Sequence, residues 1–438
     1  MLALALSGNH HAQIFVSPLR PESAVTMALS IMERKVRTMQ KWIEERPGYG
    51  GFLPWIYNSN DGIIPADGWE NSVPALDNGE MIWGYIAVRV ALKNFAKSQS
   101  TTTKEVSIAE KLIDDIEEYL QYIAKTAPVV FLDGDGYRIR AVSNFYDQQG
   151  SPFNVTNYFS TCDDSNPNSV CYLDDPYEGE MFAVFMYLYS PWADRVLRKR
   201  LWVHKRAKLM AGILETPAGN ITAQMGWWFS AHEQWKYLAL PYLSASPLNR
   251  RVFLNGERAR AQSSNINGYP GLFASVTATC PFPCPQGPPS YVSATGISAL
   301  AQQTVTDLSL VTPYGSFPLL LANLPVGLSW YNRMLQGAAM QNRFGSTESA
   351  AVDGSGISPV LTWDSKVTSC VAMLGGVASL VEQEMKEENV FDEFARIVEL
   401  EWSSVFTELE GEDLPFSAPD YFIPSTPELS DFTMCRSQ

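Results

Sequence analysis

The run GWWFSAHEQWKYLALPY, residues 226–242, sets Glu233 beside His232 among Trp227, Trp228, Phe229, Trp235, Tyr237 and Tyr242. Desolvating a carboxylate costs several kcal/mol unless something pairs it or uses it. Among aromatic rings, burial disfavours the anion and keeps a proton available near neutral pH, which is what a general acid needs. The plainer alternative is an ion pair from Glu233 to Lys236 or a neighbouring arginine. More acids stand where apolar helices are expected to begin: Asp77 and Glu80 in PALDNGEMIWGY, Glu178 and Glu180 in DDPYEGEMFAVF, and Asp364 in TWDSKVTS. Helix N-termini favour anions, and Asp77 with Glu80 has the spacing of an acidic capping box, so each acid has a structural explanation by itself. On helices that open in parallel, the set would instead gather at one mouth. Trp55, Tyr57, Trp69, Trp83, Trp228, Trp235, Trp330, Tyr331, Phe344 and Trp363 lie near these acids or in Gly-rich loops. Flat rings stack on the apolar faces of sugars, carboxylates bind their hydroxyls, and two carboxylates suffice as acid and base for glycoside hydrolysis.

Other chemistries find less support. The sequence has no G-x-S-x-G elbow, P-loop or H-E-x-x-H. A catalytic triad would depend on His232, and no serine is marked as its partner. The 32 Lys+Arg against 47 Asp+Glu give a net charge of −15, which argues against nucleic acid or anionic membrane as the main partner. It also disfavours a lyase acting on uronic acids, while a neutral ligand meets no electrostatic penalty. No apolar run approaches the ~20 residues that span a bilayer.

These residues need helices to hold them, and two kinds recur. Segments 22–45, 103–126, 192–213 and 386–408 carry an apolar stripe with Lys and Glu opposite, as in Met27, Ile31, Met32, Val36, Met39, Trp42 and Ile43. Thr102 and Glu105 have capping-box spacing, and Pro128 is expected to follow the end of the second segment. Segments 79–95, 177–189, 233–242 and 367–382 are apolar nearly all round and must be buried on every side. One-faced helices alternating with all-round apolar ones describe an outer ring around an inner ring. The expected fold is all-α, an α/α barrel in a single domain with long loops; the absence of a fixed-period repeat weakens the stacked-solenoid alternative. A minor β-hairpin is expected in 129–145 around Asp133-Gly134-Asp135-Gly136, a turn too short for a calcium loop.

Asn154-Val155-Thr156 and Asn220-Ile221-Thr222 are N-glycosylation acceptors, and Cys162/Cys171 and Cys280/Cys284 are closely spaced in loop-like sequence. Together they point to secretion with one or two local disulfides rather than to cytosolic thiols. Zinc is not expected, because His10, His11, His204 and His232 lie far from both cysteine pairs. The opening MLALALSGNHHAQ has a short apolar patch without a basic start and does not decide the compartment.

Several stretches, GYGGFLPWI (48–56), GWENSVPALDNGEMIWGY (68–85), SAHEQWKYL (230–238), TPYGSFPLLLANLPVGLSWYNRMLQGAAMQNRFGSTES (312–349) and ISPVLTWDSK (357–366), resemble the fungal endo-β-1,2-glucanases, glycoside hydrolases related more distantly to bacterial β-1,2-glucanases. The resemblance spans roughly residues 22–420. It implies secretion, an (α/α)6 barrel over 22–409 between an N-terminal segment 1–21 and a C-terminal loop or tail 410–438, and cleavage of linear β-1,2-glucan to sophorooligosaccharides with inversion. It implies no metal or organic cofactor, a polysaccharide as partner, and a monomer. It implies Glu233 as general acid, acting through a hydroxyl of the bound glucan, and an aspartate that activates water through a second water. The base of the family lies on a loop after the last long helix, which here falls in EGEDLPFSAPDYFIPST, 410–426. Asp420, followed by Tyr421 and Phe422, is the expected base there, since Asp413 reads as solvated surface. Asp364 is the runner-up and Asp353, in VDGSGIS, a weaker version of it. Asp77, Glu80, Trp83, Trp228, Phe344, Glu348, Trp363, Asp364 and Lys366 are expected to bind the glucan. Three alternatives stay open: a glycosidase of the same superfamily with another linkage, a transglycosylase, or a non-catalytic glucan-binding barrel.

Overall fold

In the computed structural model the described residues are 1–59, 62–98, 102–162, 171–174, 176–192, 194–206, 208–229, 234–268, 276–277, 291–292, 296–305, 310–336, 341–342, 345–358, 363–418 and 421. They are mainly helices, with short antiparallel strands between them. Two units are distinguished, one of residues 1–208 with 377–394, the other of 209–376 with 395–438.

The first unit is arranged around the helix Ala75–Ala96. Ile82, Trp83, Ile86, Ala87, Val90, Ala91 and Leu92 bury faces on all its sides. The helices Leu2–Leu6, Thr103–Phe131, Glu180–Tyr189 and Ala378–Glu387 cover those faces, which is why its sequence shows no stripe. Ala24–Glu45 and Thr103–Phe131 are the one-faced helices that the stripes predict. Thr102 caps the latter: the Glu105 N–H donates to its Oγ1 (3.3 Å), and Glu105 Oε2 accepts from the Thr102 backbone N–H (3.2 Å). The Thr102 hydroxyl, donating to Glu105 Oε2 (2.7 Å), and then its backbone N–H hold the Glu105 carboxyl below its usual pKa. Thr102→Ala is expected to lower stability by about 1 kcal/mol at pH 7. A depressed carboxylate pKa contributes stability above the unfolded value that is lost as pH falls, so urea midpoints at pH 7 and pH 3 should show the deficit shrinking in acid. The helix does not stop at Pro128 but carries that residue inside it and ends at Phe131. The missing proline N–H costs one helical bond there.

The DGDG turn forms as expected, with the Asp133 N–H donating to the Arg138 carbonyl (2.9 Å). The preceding residues are helical, so the predicted hairpin shrinks to a bridge between Leu132 and Ile139. Val142–Phe145 instead becomes the central strand of a three-stranded sheet between Ser72–Pro74 and Tyr158–Phe159. Within residues 1–21, Ala3, Leu4, Ala5 and Leu6 are buried, and their helix packs against Ala24–Glu45 and Ala75–Ala96. Cys162 and Cys171 form a disulfide, while Cys280 and Cys284 lie outside the described residues.

The rest of the chain departs more from the sequence reading. The expected helix 192–213 ends at Arg206, and Ala211–Thr216 pairs with Gly219–Gln224 as a β-hairpin across Pro217-Ala218. Leu214, Ile221 and Ala223 of this hairpin are buried, while Ile213 is exposed. Pro241 splits 233–242 into the short helices Lys236–Ala239 and Tyr242–Ala245. Gly375 and Gly376, both at positive φ, divide 367–382 between Trp363–Met373 and Ala378–Glu387. Asn389 at φ 58° separates the latter from Phe391–Val405, where one helix 386–408 was expected. The long helix Pro247–Asn267 packs on the hairpin; Ser246 caps it, Pro247 starts it and Gly268 in the left-handed region ends it.

Candidate active site

Two acid-bearing helices of the first unit do open side by side. A Cβ on Gly79 would lie 2.8 Å from the Phe182 backbone nitrogen, so only glycine permits the approach. Further along, the Trp83 ring meets those of Phe185 (6.4 Å) and Tyr189 (6.1 Å), so the two helices run parallel. Asp77 and Glu80 therefore start beside Glu178 and Glu180. Asn78, fully buried, staples the 50s loop to this end: its Nδ2 donates to the carbonyls of Leu53 (2.8 Å) and Pro74 (2.7 Å), and its Oδ1 accepts from Leu53 N–H (2.9 Å). That fixes Trp55, whose Nε1 donates to Asp77 Oδ2 (3.2 Å). Asp77 keeps accessible surface, yet crowding by the surrounding protein raises its pKa, against the pull of the Trp55 bond.

Trp55 is 51% exposed and stacks on Trp69 at 4.6 Å and 26°. Trp69 in turn lines a hollow of about 410 Å³ with Gly68, Ser72, Asn144, Ser160 and Thr161, backed by the disulfide. A second stack, Tyr146 on Phe159 (4.3 Å), lies at the paired strands Val142–Phe145 and Tyr158–Phe159, next to Asn144 and Ser160. Exposed flat rings beside hydroxyls and amides are a surface suited to sugars. Trp83 is not part of it: it is fully buried, with Nε1 donating to the Met181 carbonyl (2.9 Å). Both its faces are taken by core packing, which corrects its expected role in binding glucan. Trp235 and Trp330 are core residues as well.

In the second unit, residues 230–233 lie outside the described residues, and with them Glu233 and His232. The same holds for Phe344, Asp420 and the side chains of Trp363 and Asp364, whose backbone begins a helix. Lys236, the alternative partner for Glu233, is fully buried with its Nζ over the rings of Tyr242 (4.5 Å), Trp402 (4.9 Å) and Tyr237 (5.4 Å). Trp228 is half-buried, its carbonyl accepting from Ile297 N–H (3.0 Å). Glu348 is buried within 346–349, and Lys366 donates to the Ser346 carbonyl. Burial lowers the Lys366 pKa, opposed by the Glu348 charge. Asp353 is exposed in a turn where Ser355 holds its carboxylate ionised, an environment that makes it a poor base. Asp413 is likewise exposed.

Sequence reasoning missed the residues that hold the C-terminal strap. Along Pro247–Asn267, Asn255 Nδ2 donates to Glu410 O (2.8 Å), Arg258 Nε to Leu414 O (3.2 Å) and Asn265 Nδ2 to Ser417 O (3.1 Å). Arg251 grips Glu412 (2.8 Å from Nε), and Tyr421 lies against Gly268. Polar residues inside a mixed helix carry no periodic signal that would single them out. Among the described residues no group of three or more His, Cys, Asp or Glu is placed to hold a metal ion, and no helix is long and apolar enough to cross a membrane.

A mainly helical chain with acids at helix starts and exposed ring stacks defines a carbohydrate-active enzyme of the helical-barrel class. A glucoamylase-like protein from Bacteroides uniformis shares that fold at 10% identity and a TM-score of 0.53, over 92% of this chain and 87% of its own. The family profile described as endo-β-1,2-glucanase SGL matches residues 1–436, and the chain belongs to that family of glycoside hydrolases. The endo-β-1,2-glucanase from Talaromyces funiculosus, solved with sophorose, is 37% identical with a TM-score of 0.89, over 99% of this chain and 84% of its own. A glutamate-to-glutamine mutant of that enzyme, solved with β-1,2-glucan, matches at 36% identity and the same TM-score, over 99% of this chain and 84% of its own. No curated protein matches the chain significantly.

Proposed function

We propose that this chain is a secreted enzyme of the fungal type that cleaves linear β-1,2-glucan internally to sophorooligosaccharides with inversion at the anomeric carbon. Glu233 protonates the departing glycosidic oxygen through a hydroxyl of the bound glucan. Asp420, with Asp364 as runner-up, takes a proton through one water from the water that attacks the opposite face. Asp77, Glu80, Trp228, Glu348 and Lys366 bind sugar hydroxyls and faces, joined by Phe344, Trp363 and Asp364, and the Trp55–Trp69 surface adds a stacking platform.

The observation that carries the reading is the likeness over 99% of the chain to an enzyme solved with sophorose. The match to a glutamate-to-glutamine mutant solved with β-1,2-glucan supports a glutamate as the acid. The Cys162–Cys171 disulfide supports an oxidising compartment. Asn154 and Asn220 are both exposed, as glycan acceptors must be. The protein acts as a monomer.

Incubation with β-1,2-, β-1,3-, β-1,4- and β-1,6-glucans, followed by chromatography of the products, tests the substrate. Sophorooligosaccharides from β-1,2-glucan alone are expected, with the α-anomer first by NMR. Products from another linkage only, or transfer products without net hydrolysis, would replace this reading with the corresponding alternative.

A further inference from the structure

Both described neighbours of residues 230–233 are held by one buried cluster on the helix Pro247–Asn267. On the C-terminal side, Gln234 is fully buried and its Nε2 donates to Glu257 Oε1. Glu257, also fully buried, pairs with Arg260 Nη1 (2.5 Å) one helical turn on. On the N-terminal side, the Arg260 guanidinium lies over the Phe229 ring, 4.2 Å from its centroid. Phe229 is itself buried among Leu214, Ile221, Ala223, Ala259, Ile297 and Leu300. Its φ of 56° is left-handed, a conformation that a residue with a side chain keeps only where its surroundings impose it.

From these contacts we infer that Gln234, Glu257 and Arg260 form a positioning clamp for the segment carrying Glu233, setting where the general acid stands without touching the substrate. The inference rests on the proposed role of Glu233, which is one peptide bond from Gln234. A charge pair this deeply buried is a costly way to pack a helix against a loop. Its geometry joins the two ends of one four-residue segment through a single arginine, whose planar head pairs with the carboxylate through one edge and stacks through its face. Burial raises the Glu257 pKa and Arg260 opposes it, so the pair depends on its partners staying in register. A displacement of about 1 Å in a catalytic group is enough to cost on the order of 100-fold in rate.

The test compares Gln234→Met, Arg260→Lys, Arg260→Met and Glu233→Gln on β-1,2-glucan, with thermal unfolding to confirm folding and calorimetry to measure sophorose binding. Gln234→Met keeps the Glu257–Arg260 pair and the side-chain volume, so it remains informative if Arg260→Met does not fold. The expected result is a kcat about 10-fold or more lower for Gln234→Met, with KM and sophorose affinity within about twofold. Arg260→Lys, which keeps the charge but not the flat face, should restore part of what Arg260→Met loses. If Gln234→Met lowers only the melting temperature, with kcat per folded molecule unchanged, the cluster is structural and the clamp is overturned. Full turnover by folded Glu233→Gln would overturn the acid assignment instead, and the clamp with it; a dead Glu233→Gln beside a fully active Gln234→Met rejects the clamp alone.

Discussion

Glu233→Gln should give a folded protein that still binds β-1,2-glucan and cleaves it slower by about 10²–10⁴-fold or more. Glutamine keeps the shape and much of the hydrogen bonding of the acid but has no proton to give, so leaving-group departure loses its assistance while binding does not. The corresponding change at the base separates the two candidates. Asp420→Asn should be similarly impaired with binding retained, since the attacking water loses its acceptor. Asp364→Asn, if that residue only binds sugar, should weaken binding and turnover together by one to a few kcal/mol, the range of hydrogen bonds to charged groups. Initial rates and calorimetric titration with glucan on each folded variant supply the check. Near-normal turnover by Asp420→Asn beside a glucan-binding but dead Asp364→Asn would move the base to the start of the Trp363–Met373 helix.

The largest expected loss of stability lies away from the chemistry. Arg89 is buried near the C-terminal end of Ala75–Ala96 and ion-pairs with Glu117, Glu384 and Glu388. Glu384 has no exposed surface and also accepts from Lys93 Nζ at 3.0 and 3.2 Å. Arg89→Met should cost about 3–5 kcal/mol, because it leaves Glu384 buried with one cation and places Glu388 beside it without a counter-charge. Burial and the Glu384 hydrogen bond already raise the Glu388 pKa against the pull of Arg89. Without Arg89 the Glu388 carboxyl titrates higher still, and a raised carboxyl pKa means stability that is lost as pH rises. Denaturation midpoints should therefore show a larger deficit at pH 7.5 than at pH 5.5. Arg89→Met with Glu384→Leu should recover much of it, since a well-packed apolar pair can replace a buried ion pair. A deficit under about 1 kcal/mol for the single variant would mean that water reaches these groups.

What the sequence made legible follows from which signals are local. The stripe of Ala24–Glu45 and the Thr102/Glu105 cap are written within a few turns of chain, and both are found in place. The acids at the starts of Ala75–Ala96 and Glu180–Tyr189 could be read as a set because both helices are apolar on every side. Trp83 could not be sorted from Trp55 in that way: a ring near acids gives one sequence signal whether it packs or stacks, and only burial tells them apart. The Arg89–Glu384 pair joins residues 295 apart, beyond the reach of any periodicity. The Glu257–Arg260 spacing of three was visible, but such pairs on exposed helix faces are ordinary. The hairpin Ala211–Gln224 was lost because an amphipathic helix and its following strand were read as one stripe.

The strap along Pro247–Asn267 has a consequence for how this family can change over time. Asn255, Arg258 and Asn265 all donate to main-chain carbonyls of residues 410, 414 and 417. A carbonyl is the same acceptor whatever side chain its residue bears. The path of the strap is thus encoded mostly in the helix, and the strap's own letters are left free to drift apart from the Glu412 grip. Homologues should accordingly vary widely between 413 and 418 while retaining donors at the three helix positions, so that the strap's sequence can change without rebuilding the helix that holds it.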